Sequence, residues 1–292
     1  MKMFLDCLQC MPRQALQALR CTGVDEECQE RIMRCVLDVL NDSDWDRSPM
    51  EMAIPVFDTV RAESGVDDPY KEVKRQSNRE ARAHSEHVID KIKASDDPIQ
   101  VALKGAIGGN IIDYGAMADF DLDATMDRVF SMDFAIDDER ALVDKIADAE
   151  SIAYLADNAG ETVFDRILLE TISEVYGPKD VLFVVRDEPF MNDALESDAR
   201  EAGIVDMPDV EVVGMPPRIP SATDESYGLW ERICASDVVI SKGQGNYEAF
   251  SSEEGIFFLL MTKCDLVARD VNSRTGVDLQ LGDMILWRGR GG

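Results

Sequence analysis

From about residue 150 the chain repeats short apolar runs: SIAYLAD, DVLFVVRD, DVEVVG, DVVISKG and GIFFLLMTKCDLVA. They are rich in Val, Ile and Leu. Helical patterns such as ETVFDRILLETISEVYG and NDALESDAREAG separate several of them. Strands that are apolar on both faces must be covered on both faces, so the alternation predicts an α/β fold with a mostly parallel sheet. In such sheets ligands bind at the carboxyl ends of the strands. The preceding hundred residues differ in texture. PRQALQALR, CQERIMRCVLDVL, SPMEMAIPVFDTVRAE and YKEVKRQSNREARAHSEHVIDKIKAS carry apolar residues at three- and four-residue spacing and predict helices. Breaks fall at CTGVDE, NDSDWDRSP and SGVDDP. The expected division is a helical part over 1–94 and an α/β part over 95–292.

Charge narrows the function classes. The 292 residues carry a formal charge of −28, spread along the chain and not gathered in a tail. Nucleic-acid backbones are poor partners for such a surface, because binding them requires basic patches that displace counterions. Dispersed acids with few lysines suit a cytosol at multimolar salt, which screens their repulsion. No stretch approaches 18 consecutive apolar residues, and MKMFLDCLQCMPRQ has an acid at Asp6 and no long apolar region. A cytoplasmic protein that neither enters a membrane nor carries a leader is the expectation; the oligomeric state is left open. Seven cysteines, an odd count, read as reduced thiols. Cys21, Cys28 and Cys35, spaced by seven, are expected to pack on similar helix faces. Cys7 and Cys10 form the one close pair, with a metal or redox role as the alternative to burial. His84 and His87, one helical turn apart, are expected to be exposed.

Three strand ends carry chemistry in one style. SIAYLA runs into Asp157, Asn158, Ala159, Gly160 and Glu161; DVLFVVRDEPFM runs into Asn192 and Asp193; DVVIS runs into Lys242, Gly243, Gln244, Gly245 and Asn246. AIGGNIIDYG adds Asn110 and Asp113 just after a helix. Carboxylates and amide oxygens without His or Cys form a hard-oxygen set that suits Mg²⁺ or Mn²⁺. A lysine where a strand leaves the sheet, beside a glycine-rich loop, suits a phosphate. Together they point to metal-assisted phosphoryl chemistry. GQGN lacks the third glycine of a dinucleotide fingerprint, and no GxxxxGK[ST] occurs.

SKGQGNYE, DNAGE, GNIIDYG, the early CxxC and DPYKEVKRQSN, in that combination, resemble the damage-control phosphatase family, and within it the largely prokaryotic first subfamily. The resemblance covers nearly the whole chain. It implies a helical N-terminal part, a Rossmann-like three-layer α/β/α part, and a phosphatase that uses a divalent metal (Mn²⁺, Mg²⁺, Co²⁺ or Ni²⁺) on small phosphorylated metabolites. By position it implies Asp157, Asn158 and Asp193 as metal ligands. Lys242 would neutralise the phosphate, with Asn246 and the Gly243 and Gly245 backbone beside it. Asn110 and Asp113 would complete the pocket wall, and Glu161 would orient a ligand or water. Asp157 and Asp193 are the carboxylates placed to act as a nucleophile should water not attack directly. GMPPRIPSATDESYG departs from the family pattern, which has a strand end and a Gly-Thr loop there. Two rivals are an S-adenosylmethionine-dependent methyltransferase, whose first loop would be glycine-rich, and a non-enzymatic metal or thiol protein built around Cys7 and Cys10.

Overall fold

The computed structural model describes residues 1–109 and 122–290. Four helices come first: α1 (Cys7–Thr22), α2 (Glu26–Asp42), α3 (Pro49–Ser64) and α4 (Lys71–Lys93). Their ends fall at the expected breaks for local reasons. Gly23 and Gly65 terminate α1 and α3 with φ of 75° and 68°, in the left-handed region where a side chain is disfavoured. Asp25 accepts from the Cys28 N–H at the start of α2, and Ser48 forms a reciprocal capping box with Glu51 at the start of α3. Next come α5 (Pro98–Gly108), α6 (Leu122–Ser131), β1 (Phe134–Asp137), α7 (Glu139–Asp148), β2 (Ser151–Leu155), α8 (Glu161–Tyr176) and β3 (Asp180–Arg186). The chain then runs through α9 (Glu196–Ala202), β4 (Val210–Met215), α10 (Tyr227–Ala235), β5 (Val238–Lys242), α11 (Gly243–Phe250), β6 (Glu254–Met261), α12 (Asp265–Thr275) and β7 (Met284–Arg290).

The seven strands lie in the order β1-β7-β6-β5-β2-β3-β4, parallel except where β7 runs against β6. Side chains alternate between two cores, as the two-residue period requires. Ile152, Tyr154, Phe183 and Ile240 pack with α4, α5 and α8 on one face. Ala153, Leu155, Val184 and Val239 pack with α10, α11 and α12 on the other. The chain leaves β2 toward β3 and β4, then crosses back to β5 on the other side of β2. The carboxyl ends of β2 and β5 therefore flank a topological switch point, where a crevice opens by geometry.

Helices α1 to α3 form a third core with Phe190, from the β3–α9 loop, and Leu266 of α12. Phe57 meets Phe190 edge-on at 5.2 Å between ring centres. The three helices thus cap the carboxyl ends of the sheet. Ala81, Val88 and Ile92 place α4 in the sheet's own core, so the packing divides before α4, ahead of the expected boundary at 94.

Two further expectations are corrected. Cys21 lies in the last turn of α1 while Cys28 and Cys35 lie in α2, so the glycine break at 23 puts them on different helices; Cys21 is exposed and the other two are half-buried. His84 and His87 are half-buried and each holds an aspartate of α6, His84 Nδ1 to Asp123 at 2.7 Å and His87 Nε2 to Asp127 at 2.9 Å. All seven thiols are free, with Cys7 buried at the start of α1. No helix of the described residues is long and apolar enough to cross a membrane.

Candidate active site

Three chain segments meet at the switch point. After β2, Asp157 and Asn158 remain buried. Asn158 forms an isolated antiparallel bridge with Asp193, and the Ala194 N–H donates to the Asp157 carbonyl at 2.8 Å. The β3–α9 loop is thereby stitched to the end of β2. From the other side, Gly243 begins α11 with φ of 77° and its backbone lies directly against the Asp157 carboxylate. A Cβ there would fall 1.9 Å from Oδ2, so only glycine fits. SKGQGNYE is therefore a strand-to-helix junction and not the loop expected of it. Gly245 faces α3, where a Cβ would meet Met50 Cε at 2.4 Å; that glycine permits helix packing.

Asn158 spends its amide hydrogens on Asp157 Oδ2 (2.9 Å) and Glu161 Oε1 (2.8 Å). What it can offer a cation is Oδ1. Asp193 receives the Arg186 Nε–H at Oδ2 (2.6 Å), and burial pushes its carboxyl above the usual range, with Arg186 opposing the shift. Asp157, Asn158 and Asp193 present hard oxygens with no thiolate or imidazole among them. No group of three or more His, Cys, Asp or Glu able to hold a metal occurs among the described residues. A cation held by two carboxylates and an amide would keep positions for waters and substrate oxygens, which is the habit of Mg²⁺ and Mn²⁺. The donor set fits such an ion.

Lys242 leaves the sheet beside Gly243 as the sequence suggested, but its side chain turns inward. It ends β5 only 1 % exposed, and its ammonium is saturated by Asp165 Oδ1 (2.7 Å), the Ala106 carbonyl (2.7 Å) and Glu161 Oε2 (3.1 Å). Desolvation works against the charge, yet Asp165 and Glu161 outweigh it and raise the pKa above the ordinary lysine value. An ammonium has three hydrogens; none is left for a phosphate. Glu161 begins α8 and bridges Lys242 to Asn158, so the lysine orients the proposed metal ligands through it. The Asn246 side chain is likewise spent on protein: it donates to the Ala156 and Lys242 carbonyls (both 2.9 Å) and accepts from Arg186 Nη2 (2.8 Å). Asn110 and Asp113 lie outside the described residues.

Four residues of this network escaped the sequence reading. Asp165 takes the Tyr154 hydroxyl (2.6 Å) besides Lys242, and burial lifts its pKa to about 6, with Lys242 opposing. Its spacing of four from Glu161 sets both acids on one face of α8, a signal available in the sequence. Arg186 stands at the carboxyl end of β3, where a cation among acids was readable. Asn78 of α4 accepts from the Gly160 N–H (2.7 Å) and donates to Asp198 (2.9 Å) and Glu201 (2.8 Å). Lys74, one turn earlier on α4, is also buried. Both belong to DPYKEVKRQSN, a segment that carries the family resemblance but to whose polar residues the sequence alone gives no role.

A cavity of about 440 Å³ bounded by Arg166, Lys179, Val181 and Val210 lies at the amino ends of β3 and β4, the wrong end of the sheet for this chemistry.

A damage-control phosphatase of Pyrococcus horikoshii is 31 % identical over 290 residues, covering 94 % of this chain and 96 % of its own. One from Archaeoglobus fulgidus is 32 % identical over 228 residues, 76 % of each chain. The crystal structure of a DUF89 family protein from P. horikoshii superimposes with a TM-score of 0.85 at 29 % identity, covering 99 % of this chain and all of that one. The family model described as the damage-control phosphatase ARMT1-like domain matches residues 3–279, and the chain belongs to that family.

Proposed function

We propose that this protein is a phosphatase for small phosphorylated metabolites and that it uses a divalent cation held by Asp157, Asn158 and Asp193. The convergence of the β2 end, the β3–α9 loop and the start of α11 around Asp157, the loop on its main-chain carbonyl and Gly243 against its carboxylate, carries the reading. When bound, the cation would draw charge from the phosphoryl oxygens and ease attack at phosphorus. The chain's own part is positioning. Arg186 fixes Asp193 and Asn246 at once; Glu161 fixes Asn158 and is itself fixed by Lys242. The first N–H groups of α11, beside Asp157, suit phosphoryl oxygens. A methyltransferase reading would need a glycine-rich first loop, and the turn after β2 offers Asp157, Asn158 and Glu161 instead.

The test is phosphate release from p-nitrophenyl phosphate and a panel of sugar and nucleotide-derived phosphates. The protein would be stripped with EDTA and reloaded with Mn²⁺, Mg²⁺, Co²⁺ or Ni²⁺. Turnover should require added metal and fall at least about a thousandfold in Asp157→Ala and Asp193→Ala. Turnover of either variant near the wild-type rate at saturating metal would overturn the ligand assignment. Equal turnover after stripping would overturn the metal.

A further inference from the structure

Three lysines are buried among the described residues: Lys74, Lys104 and Lys242. Lys242 has three acceptors, and Lys104 donates to the Phe130 carbonyl at 3.2 Å. Lys74 differs. It is 3 % exposed and its Nζ lies 2.6 Å from Asp68 Oδ2, yet the contact is out of line for a hydrogen bond and no other acceptor is aligned with it. A buried ammonium with its hydrogens uncommitted is expensive to keep, so its place in the molecule is informative.

That place is the wall of the site. Lys74 lies four residues before Asn78, on the same face of α4. Asn78 holds the Gly160 N–H of the turn that carries Asp157 and Asn158, and a Cβ on Gly160 would touch Ser77 at 3.0 Å. The face bearing Lys74 is therefore seated on that turn. Burial raises the carboxyls of Asp193 and Asp198 on the far side of the crevice, and the charge of Lys74 is among the groups that oppose that shift. A phosphate dianion entering here meets Asp157, Asp193 and Glu161, and needs positive charge beyond that of one cation. Lys242 is saturated, and Arg186 is committed to Asp193 and Asn246.

We propose that Lys74, on α4, is the substrate-anchoring cation of this site, taking a phosphoryl oxygen of the bound phosphomonoester in exchange for its contact with Asp68. The inference rests on the phosphatase reading and extends it, because the anion is gripped by a helix outside the strand ends that hold the proposed metal ligands. Asp68 Oδ1 accepts from the Tyr70 N–H at 3.0 Å, so the carboxylate that the arriving anion displaces from Lys74 stays in place.

The experiment compares full-length wild type, Lys74→Met, Lys74→Arg and Asp68→Asn by three readouts: the thermal midpoint, calorimetric affinity for Mn²⁺ alone, and affinity of the Mn²⁺-loaded protein for inorganic phosphate. Steady-state turnover is a fourth. Lys74→Met should bind Mn²⁺ within about threefold of wild type. It should lose about thirtyfold or more in phosphate affinity, with a matching fall in kcat/KM carried mainly by KM. Lys74→Arg should restore part of the loss, since a guanidinium keeps the charge with a different shape. Asp68→Asn preserves the Tyr70 contact, frees Lys74 from its carboxylate and should tighten phosphate. It keeps the proposal testable if Lys74→Met does not fold. Phosphate affinity unchanged in folded Lys74→Met, or weakened in Asp68→Asn, would overturn the proposal. The two readings fail separately. Wild type that binds phosphate through Lys74 but hydrolyses no ester removes the phosphatase, whereas turnover indifferent to Lys74→Met removes the anchor alone.

Discussion

The end of β5 and the first turn of α4 each bury a lysine, and the two are held by opposite means. Lys242 sits in a closed cluster in which every ammonium hydrogen has an acceptor and both partner acids are buried with it. Lys74 faces one carboxylate without alignment, at the border between the helical cap and the sheet. Satisfied buried charge holds structure in place, because moving it would strand its partners. A buried lysine paired to one carboxylate, with no aligned acceptor for its hydrogens, can exchange that partner for an anion that arrives. The same residue type, at the same depth, thus performs framework duty at one address and is available for recognition at the other.

The contrast makes its largest demand on Lys242→Met. Removing the ammonium leaves Glu161 and Asp165 buried together with no counter-charge, a loss of about 3–5 kcal/mol for a broken buried pair. In a chain of this length that is a fall in Tm of roughly 10 °C, and activity should vanish with the alignment of Asn158. Lys74→Met should lower Tm far less, since the one acid it strands, Asp68, is 12 % exposed and keeps the Tyr70 N–H. Calorimetry of both variants without metal checks the pair. Equal midpoints would erase the distinction between the two lysines.

The same reasoning explains what could be read from the sequence. Strands β2, β3 and β5 were legible because an apolar residue on each face of a central parallel strand leaves an unbroken run. β1 and β7 were not. β1 is a four-residue edge strand, FAID, with alternating exposure, and β7 carries Arg288, Gly289 and Arg290 and runs antiparallel. Asp157, Asn158 and Asp193 were legible as polar residues stranded after apolar runs. Lys242 was legible as important but misplaced, because strand position does not tell whether a side chain reaches solvent or the α8 acids. Arg186, Asn78 and Lys74 become site residues only through tertiary docking. Arg186 depends on the β3–α9 loop folding back, and the two α4 residues depend on α4 lying across the turn at Gly160. No local periodicity encodes either event.

A smaller effect sharpens the comparison at the α4 contact. Asn78→Ala would leave the Gly160 N–H without its acceptor and Asp198 and Glu201 facing each other without a donor between them. About 1–3 kcal/mol should be lost. Because Gly160 lies in the turn of the proposed ligands, kcat should fall while Mn²⁺ binding weakens in parallel. Calorimetry and metal titration would detect both. Lost stability with unaltered metal binding would mean that α4 braces the fold without positioning the site.

The smallest expected effect concerns a third charge, on the seam between α11 and α1. Glu248 shares α11 with Asn246, but among the described residues its carboxylate has no hydrogen-bonding side chain. Burial pushes its pKa up to about 7 from the usual 4.5, with the Met1 ammonium opposing, and its charge is felt by Cys7. A carboxyl whose folded value lies above its unfolded value adds stability that is fully present below about pH 4.5 and is lost as pH rises through about 7. Glu248→Gln removes the ionisation and keeps the shape. The variant should therefore match wild type at pH 5 and melt higher at pH 8, by roughly 1 kcal/mol once partial solvent access is allowed for. Thermal scans at the two pH values suffice. A variant less stable than wild type at pH 8 would mean that the seam welcomes an ionised Glu248. In that case the helical cap would hold satisfied charge of the kind found around Lys242, and Lys74 would lose its claim to be the exception at that border.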